Sequence, residues 1–309
     1  MSGPPAATAA VRVAVRRSLS DLAPRARVAA AVSGGADSLA LAAALAAEHP
    51  EGLALVVDHQ LQPESAQVAA RAAAQCRDLG LAAQVLRAEV VGRTEGAARE
   101  ARYAALTRAI PEFDLATVLL GHTLEDQAES VLLGLARGAG ARSLAGMAPV
   151  RGPWRRPLLG VSRETVRQAC AEAGLVPWED PHNADLTFAR VRVRHDVLPV
   201  LVQALGPGVV PALARSASQL REDADALDAL TPETEECARL AALPAALRAR
   251  ALKRWAEEAC GRAVAGTHVE ALRALVEEWT GQGPVALPGG FRAMRRDGHL
   301  VCEGGSLAD

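Results

Sequence analysis

The sequence predicts an α/β fold: a parallel sheet followed by a smaller, mainly helical C-terminal domain. Over the first two thirds of the chain, short apolar runs alternate with helical segments of about ten to fifteen residues, which is typical of βαβ units. After about residue 211 the pattern changes to consecutive helical segments. The length of 309 residues also exceeds the size at which one hydrophobic core usually stops growing. We therefore expect two domains, at residues 1–212 and 213–309.

The elements of the first domain follow in order along the chain. Val11, Val15, Leu19 and Leu22 recur at helical spacing and predict an amphipathic N-terminal helix rather than a signal peptide. Apolar runs ending at turn residues predict strands at residues 28–32, 53–57, 82–91 and 115–120, with 154–159 as a fifth candidate. Strong helix formers between them predict helices at residues 38–47, 66–80, 95–110, 124–137 and 163–174.

The C-terminal domain is predicted to be mainly helical. Helical patterns cover residues 213–230, 243–260 and 267–279. Two short apolar runs, 285–287 and 300–302, flank glycines at positions 289, 290 and 298. Because glycines between apolar runs favour turns, we expect a small terminal hairpin or meander.

Composition limits the classes of function. The five cysteines include no C-x-x-C pair, so we expect them to form no metal site, iron–sulfur site or disulfide framework. A net charge of −2 lacks the positive excess of many nucleic-acid binders, although residues 137–196 hold ten arginines against six acidic residues, a local charge of +4. No run approaches the roughly eighteen apolar residues of a membrane span, so we expect a cytoplasmic protein without a membrane partner.

A glycine-rich hexapeptide follows the first predicted strand and opens the next helix. Glycines let the backbone approach a phosphate, and successive N–H groups at a helix N-terminus form an anion cradle. An aspartate repels phosphate but suits a phosphate-bound Mg²⁺, so Asp37 is the predicted metal ligand. The Walker lysine is absent, so this is not an ordinary P-loop. The predicted nucleotide-binding residues are Ser33, Gly34, Gly35, Ala36, Asp37 and Ser38, with Asp58 and His59 after the second strand.

Candidate residues follow several predicted strands. The hexapeptide follows the first strand, Asp58 and His59 follow the second, and His122 follows the fourth. Ligands of open parallel sheets bind beyond the carboxyl ends of the strands. We therefore expect these residues to meet at one edge of the sheet.

The hexapeptide resembles the PP-loop of the N-type ATP pyrophosphatases. The resemblance implies a Rossmann-like parallel sheet of the adenine nucleotide alpha hydrolase-like kind. It also implies that ATP, with Mg²⁺, is cleaved between its α and β phosphates, that a substrate oxygen is adenylated and that pyrophosphate is released. The hexapeptide alone does not choose among the members of this superfamily.

Further segments resemble tRNA(Ile)-lysidine synthetases, and the resemblance covers residues 28–200 closely. The sequence after the second strand, the helix containing Arg99, Arg102 and Tyr103, and the segment from Gly121 to Glu129 are similar to that family's segments. So are residues 137–140, 156–159, 178–183 and 188–194. Glu125, His182 and Val191 stand where the family usually has Asp, Ser and Asn.

The resemblance implies lysidine formation on a tRNA(Ile) with a CAU anticodon, with free L-lysine as the second substrate. The catalytic candidates are Asp37, His122, Asp126, Glu129, Arg99 and Arg102. Lysine attacks as a neutral amine, so a proton acceptor is needed, and Asp126, Glu129 and His122 all remain open for that role. The oligomeric state is also open, with a homodimer as one alternative.

Four arginines are predicted to bind tRNA: Arg137, Arg190, Arg192 and Arg194. The last three alternate, so in an extended segment they would share one face and suit phosphate contacts. In a helix they would scatter.

Two other functions are weighed against this one. A PP-loop tRNA thiolase typically needs a C-x-x-C pair or a cysteine in the catalytic half, and only Cys76 and Cys170 lie there, on predicted helices. A nucleotide-binding sensor without catalysis would not need Asp37, Asp126 and Glu129. Both alternatives are disfavoured.

Overall fold

In the computed structural model, which describes residues 3–58, 60, 64–89 and 95–305, the chain forms two units. These are Met1–Arg221 and Glu222–Asp309, and the division falls inside a helix. His59, one of the predicted nucleotide-binding residues, lies outside the described residues.

The first unit contains a six-stranded sheet and ten helices within the described residues, the last helix running on into the second unit. Its strands are β1 Val28–Val32, β2 Leu53–Asp58, β3 Ala82–Arg87, β4 Thr117–Leu119, β5 Val150–Arg151 and β6 Trp154–Arg155. Its helices are α1 Ala6–Leu19, α2 Ala36–Glu48, α3 Ser65–Asp78, α4 Glu95–Glu112, α5 Leu124–Leu135, α6 Ala141–Leu144, α7 Arg163–Glu172, α8 Ala189–Arg192, α9 Leu198–Leu205 and α10 Val209–Leu230.

The sheet has the order β3-β2-β1-β4-β6-β5. Its neighbours pair in parallel except β5 and β6, which are antiparallel, so the predicted α/β class is confirmed. The chain runs outward from β1 through β2 to β3 and returns to place β4 on the other side of β1. A crevice opens at such a switch point, beyond the carboxyl ends of the two central strands.

Two strand predictions needed correction. The predicted strand at 154–159 pairs only over Trp154–Arg155, because Pro157 has no N–H for a ladder and starts a 3₁₀ turn, Pro157–Gly160. The third strand ends at Arg87, earlier than predicted.

Alternation along β1 explains the layers of the first unit. Val28, Ala30 and Val32 pack into the core that α1, α2, α3 and α7 cover. Ala29 points to the opposite core, where α4 contributes Leu106. Because successive strand residues face opposite sides, a run of small apolar residues is buried on both faces. The predicted N-terminal helix is confirmed as α1.

The second unit is helical with a small antiparallel sheet. Its described elements beyond α10 are α11 Cys237–Ala242, α12 Ala245–Cys260, α13 Gly266–Glu277, β7 Val285–Ala286, β8 Phe291–Arg296 and β9 His299–Gly304. The strands pair in the order β7-β8-β9, which confirms the predicted terminal meander. Leu240, Leu252, Leu272 and Leu300 form the centre of its own hydrophobic core.

Among the described helices, none is by itself long and apolar enough to cross a membrane. One sharply bent pair, Ala189–Leu205 and Val209–Leu230, meets the length and composition test only when the two helices are taken together.

Candidate active site

A cavity of about 630 Å³ lies beyond the carboxyl ends of β1 and β4. It collects the hexapeptide, the residues after β4, the first turn of α7 and the segment after α7, which come from separate parts of the chain. Its lining includes Ser33, Gly35, Ala36, Asp37, Ser38, Arg102, Gly121, His122, Asp126, Arg163, Arg167, Trp178, Glu179, Asp180, Arg194 and His195. Most of the predicted catalytic residues therefore meet at one place.

The hexapeptide forms a tight turn between β1 and α2. Gly34 has a φ of +86°, a conformation that residues with a Cβ rarely adopt. The Ser33 N–H donates to Ser38 Oγ at 3.1 Å, and Ser38 Oγ donates to the Gly35 carbonyl at 2.9 Å. Gly35 is the N-cap of α2, so the first N–H groups of that helix face the cavity end of the turn. A turn of this shape at a helix start is suited to the anion cradle that the sequence predicts.

Gly121 allows the end of β4 to approach the start of α2. A Cβ at this position would lie 3.1 Å from the Asp37 carbonyl oxygen and 3.4 Å from the Ser38 Cα. Both contacts are with backbone, which cannot move aside without shifting the helix. The glycine therefore sets the spacing between the hexapeptide and His122.

Asp37 lies in the first turn of α2 with a largely buried carboxylate. Among the described residues, its Oδ1 has no hydrogen-bond partner, and its Oδ2 lies 3.9 Å from Arg163 Nε. Burial raises the pKa of this carboxyl to about 6, while the Arg163 charge opposes the shift and the Asp126 charge adds to it. An unsatisfied buried carboxylate oxygen beside an anion cradle is a suitable ligand for a cation.

Two carboxylates on α5 are held by arginines from other elements. Asp126 and Glu129 share a helical face because they are three residues apart. Asp126 Oδ1 accepts from Arg163 Nη2 at 2.8 Å and from Arg194 Nη2 at 3.2 Å. Glu129 is fully buried and accepts from Arg194 Nε at 2.8 Å and from Arg163 Nη2 at 3.3 Å. The α5 carboxylates are therefore neutralised within the protein.

The electrostatic environments of Asp126 and Asp37 are opposite. Burial would raise the pKa of Asp126, but the Arg163 charge and the hydrogen bond from the Thr123 N–H outweigh it, so the pKa is lowered. That N–H donates to Asp126 Oδ2 at 2.7 Å, as a capping-box partner does at a helix start. Asp126 is held ionised, whereas Asp37 resists ionisation.

His122 and Arg102 bring buried donors and acceptors to the same cavity. Burial lowers the pKa of His122 to about 3, and its ring is therefore neutral near pH 7. Within the described part of the chain, His122 Nδ1 and Arg102 Nε are both buried without a partner. Buried polar atoms are usually satisfied, so these two are available to a bound molecule. Arg99 is exposed and lies over the Tyr103 ring, with its guanidinium carbon 5.2 Å from the centroid.

The alternating arginines lie in helical, not extended, backbone. Arg190 and Arg192 belong to α8, and Arg194 lies in a π-helical stretch, Val193–Val197. Of the two alternatives that the sequence leaves open, the structure therefore has the helical one, in which the three side chains scatter. Arg190 Nη2 donates to Ser130 Oγ at 3.2 Å and Arg194 binds the α5 carboxylates, while Arg192 Nη1 donates to the carbonyls of Leu186 and Thr187, both at 2.7 Å.

The remaining predicted residues lie outside this cluster. Arg137 is exposed just after α5. Asp58 is buried at the end of β2, where its Oδ1 accepts from the Gln60 N–H at 3.0 Å, while its neighbour Val57 lines the cavity. Val191, one of the departures from the family pattern, is buried as a packing residue.

Sequence reasoning misses Arg163, whose side chain contacts three acidic residues of the site. The sequence pattern marks Arg163 only as part of the local positive charge. Its position immediately after the N-cap Ser162 was the available signal, because a first-turn side chain of α7 lies at the helix end that faces the cavity. Trp178 was also left without a role, although its N–H donates to the Gly34 carbonyl at 2.9 Å and so ties the segment after α7 to the hexapeptide.

The two cysteines of the catalytic half are buried inside helices. Cys76 and Cys170 pack in the core beside the sheet, and burial raises the pKa of each thiol to about 11. A thiol with so high a pKa is a weak nucleophile, because the thiolate is the reactive form.

Comparisons with known proteins agree with this geometry. Residues 9–201 match the family model described as a PP-loop domain, and residues 236–301 match that of the TilS substrate binding domain. The tRNA(Ile)-lysidine synthase of Rhodococcus erythropolis (strain PR4 / NBRC 100887) is 50% identical over 309 residues, covering 94% of each chain. That of Thermobifida fusca (strain YX) is 50% identical over 321 residues, covering 97% of this chain and 99% of the relative.

A solved structure shares the fold. The U34-tRNA thiolase NcsA from Methanococcus maripaludis, solved with its 4Fe-4S cluster, superposes with a TM-score of 0.59 at 20% identity. The match covers 70% of this chain and 79% of the thiolase. At this identity the likeness concerns the fold alone.

Proposed function

The chain belongs to the tRNA(Ile)-lysidine synthase family, and we propose that it is a ligase that joins lysine to a tRNA(Ile) with a CAU anticodon at the expense of ATP. ATP adenylates the C2 oxygen of the cytidine at the first anticodon position. The amine of free L-lysine then displaces AMP and leaves a new carbon–nitrogen bond. The observation that carries the proposal is the single cavity where the hexapeptide meets His122, Asp126 and Arg102.

The hexapeptide would hold the polyphosphate of ATP. Its turn places Ser33, Gly35 and Ser38 on the cavity wall at the start of α2. Backbone N–H groups at a helix N-terminus favour anions both by hydrogen bonding and by the helix dipole. A polyphosphate bound here has its leaving pyrophosphate stabilised by groups that need no rearrangement during the reaction.

Asp37 would hold a Mg²⁺ ion that accompanies the phosphates. The fit rests on its buried Oδ1, which has no partner among the described residues, and not on a cluster of acidic ligands. Mg²⁺ is commonly bound through one or two carboxylates together with substrate phosphates and water. When bound, the ion neutralises charge that develops on the leaving phosphates.

Arg102 and His122 would face the reacting phosphate and the target base. Arg102 Nε is a cation donor without a protein partner in the described residues, which suits an anionic adenylate. The neutral His122 ring has an Nδ1 that no described residue contacts by a hydrogen bond, so it can take a proton without first breaking one.

His122 is also the best placed of the three proton acceptors left open by the sequence. Asp126 and Glu129 are already committed to Arg163 and Arg194. Their oxygens already accept hydrogen bonds from these two arginines, whereas His122 Nδ1 has no partner among the described residues. A phosphate beside His122 would raise its pKa, so the histidine becomes a better acceptor once the nucleotide is bound.

The tRNA would be held outside the cavity by exposed arginines. Arg99, Arg137 and Arg192 are exposed, whereas Arg190 and Arg194 are partly buried against Glu129. Phosphate contacts come mainly from exposed cations, so we assign them to the first three. A tRNA substrate also places the enzyme in the cytoplasm.

Incorporation of radiolabelled lysine tests the function directly. Purified protein, ATP, Mg²⁺ and a CAU-anticodon tRNA(Ile) transcript should give acid-precipitable label, and a transcript with uridine at the first anticodon position should not. Folded protein that incorporates no lysine into intact tRNA would reject the proposal. Sedimentation of the same sample distinguishes a monomer from a homodimer.

Thiolase activity is the rival that the shared fold suggests. Sulfur transfer would need a reactive thiol, and Cys76 and Cys170 are buried in helices with raised pKa values. Thiolation of the same transcript in the presence of a sulfur donor would favour the rival.

A further inference from the structure

The guanidinium of Arg163 is held in place by carboxylates on one side and faces the cavity on the other. Its Nη2 donates to Asp126 Oδ1 at 2.8 Å and to Glu129 Oε1 at 3.3 Å. Its backbone N–H donates to Glu125 Oε2 at 2.8 Å. Both ends of the residue are therefore fixed to α5, and its side chain is only 17% exposed.

Two nitrogens of this guanidinium, Nε and Nη1, make no hydrogen bond among the described residues. Nε lies 3.9 Å from Asp37 Oδ2, beyond hydrogen-bond distance. In the part of the chain that the structure describes, Nη1 has no hydrogen-bond partner. Nη1 is also not fully buried, so a ligand can reach it. A guanidinium has five donors in one plane, so Nε or Nη1 can bind an anion while Nη2 stays bonded to α5.

We infer that Arg163 is a direct ligand of the polyphosphate, opposite the hexapeptide, and that Asp126 and Glu129 serve to aim it. The inference deepens the function proposed above and rests on its ATP chemistry. Arg163 and the hexapeptide line the same cavity, and Asp37, which belongs to the hexapeptide, is its nearest acidic neighbour on α2.

The anchoring distinguishes Arg163 from the other arginine on α7. Arg167 also lines the cavity, but its side chain is 58% exposed and its partner Glu179, at 3.5 Å, is 69% exposed. An exposed pair of this kind is held weakly and loses rotamer freedom on binding a ligand. Arg163 has already lost that freedom in the free protein, so it binds an anion at lower entropic cost.

The role in the reaction follows from where the charge goes. Adenylation breaks the bond between the α phosphorus and the bridging oxygen, and the electron pair leaves with pyrophosphate. A fixed cation beside the β and γ phosphates stabilises that departing charge. Because Nη2 stays bonded to α5, the cation need not move as the bond breaks.

Equilibrium binding of inorganic pyrophosphate, α,β-methylene-ATP and AMP, each with Mg²⁺, tests the inference on the full chain. Arg163→Gln should weaken pyrophosphate and the ATP analogue by roughly ten- to a hundredfold, the range expected for one charged hydrogen-bonding contact. AMP affinity should change less than about twofold, since AMP lacks the phosphates that Arg163 would contact. Loss of AMP affinity in step with pyrophosphate would mean that the substitution merely disorders the site, and would overturn the assignment.

A control and a conservative variant complete the test. Arg71→Gln removes the same charge from an exposed position on α3 and should leave all three affinities unchanged. Arg163→Lys keeps a cation but cannot bond α5 and a phosphate in the same plane, so it should recover only part of the pyrophosphate affinity. If Arg163→Gln fails to fold, the lysine variant takes its place in the binding measurements. Wild-type affinity for pyrophosphate in either Arg163 variant refutes the inference. Lysine incorporation, measured separately, tests the proposed function. A protein that binds pyrophosphate through Arg163 but transfers no lysine would refute the proposed function and leave the inference about Arg163 intact.

Discussion

Replacing Asp37 by Asn should make the first unit more stable and the enzyme inactive. Burial raises the pKa of Asp37 from its usual 3.8 to about 6. The unfolded chain keeps the ordinary value, so between about pH 4 and pH 6 the folded state retains a proton that the unfolded state has lost. Stability conferred by this group therefore falls as the pH rises through that window.

The size of the effect follows from the same shift. A difference of about two pKa units at 1.36 kcal/mol per unit corresponds to a cost of about 3 kcal/mol for ionising Asp37 in the folded protein above pH 6. Asparagine removes that cost while keeping the shape. At pH 7.5 Asp37→Asn should be more stable than the wild type by about 2–3 kcal/mol, and at pH 4 the two should be nearly equal.

Asp126→Asn, at a neighbouring carboxylate, should change the stability of the protein in the opposite direction. The pKa of Asp126 is lowered despite its burial, because Arg163 and the Thr123 N–H stabilise the ionised form. Its contribution to stability is present above the usual carboxyl pKa and is lost as the pH falls through the lower, folded value. Asp126→Asn should therefore destabilise the protein at pH 7.5.

Urea unfolding of the three proteins at pH 4 and pH 7.5 measures both effects. Hydrogen exchange of peptides from β1 and β4 assigns the transition to the first unit. Pyrophosphate release in the presence of tRNA tests activity, which Asp37→Asn should abolish. Equal stability of Asp37→Asn and wild type at pH 7.5 would show that ionising the buried carboxyl does not destabilise the folded protein. Unchanged turnover would refute the proposed role of Asp37 as a metal ligand.

Three further predictions concern the surrounding shell. Glu129→Gln should lower the free energy of unfolding by about 3–5 kcal/mol, since it leaves Arg163 and Arg194 facing an amide. Glu179→Gln, in the exposed pair with Arg167, should cost under about 1 kcal/mol. Similar costs for the two variants in urea unfolding would contradict the buried network. Gly121→Ala should lower lysine incorporation more than about tenfold, because the added Cβ pushes the end of β4 away from Asp37. Gly160→Ala should leave the rate unchanged, because a Cβ there meets open space. Equal rates for the two variants would refute the spacing argument. His122→Gln should slow lysine transfer by about a hundredfold while leaving ATP-analogue affinity near wild type, and full transfer activity would exclude the histidine as the proton acceptor.

The sequence was most informative where local chemistry sets the backbone. The hexapeptide was placed correctly because a buried strand, two glycines and a helix start leave few other conformations for residues 33–38. The two-sided burial of β1 was likewise readable from its run of small apolar residues. The order of the strands was not readable, because pairing β1 with β4 across a crossover depends on contacts between distant segments.

The arginines show what the charge pattern alone leaves open. Alternation at positions 190, 192 and 194 gives one shared face only in an extended segment. The segment is helical, so Arg190 and Arg194 both lie toward Glu129, and Arg192 donates to nearby carbonyls. Residues four apart are neighbours on a helix. Only the tertiary position of α5 shows that Arg190 and Arg194 lie against the buried Glu129.

The arrangement of charge assigns different work to carboxylates that the sequence treats alike. Asp126 and Glu129 lie between Arg163 and Arg194, and their oxygens are occupied by ion pairs with these two arginines. What the two acids retain is the ability to orient the arginines. Asp37, by contrast, has a buried oxygen with no partner among the described residues and a raised pKa, a state that a bound cation would relieve. The unsatisfied carboxylate thus lies in the hexapeptide, and the anchored Arg163 is held by α5. A site that binds a charged nucleotide against a fixed cation needs both features.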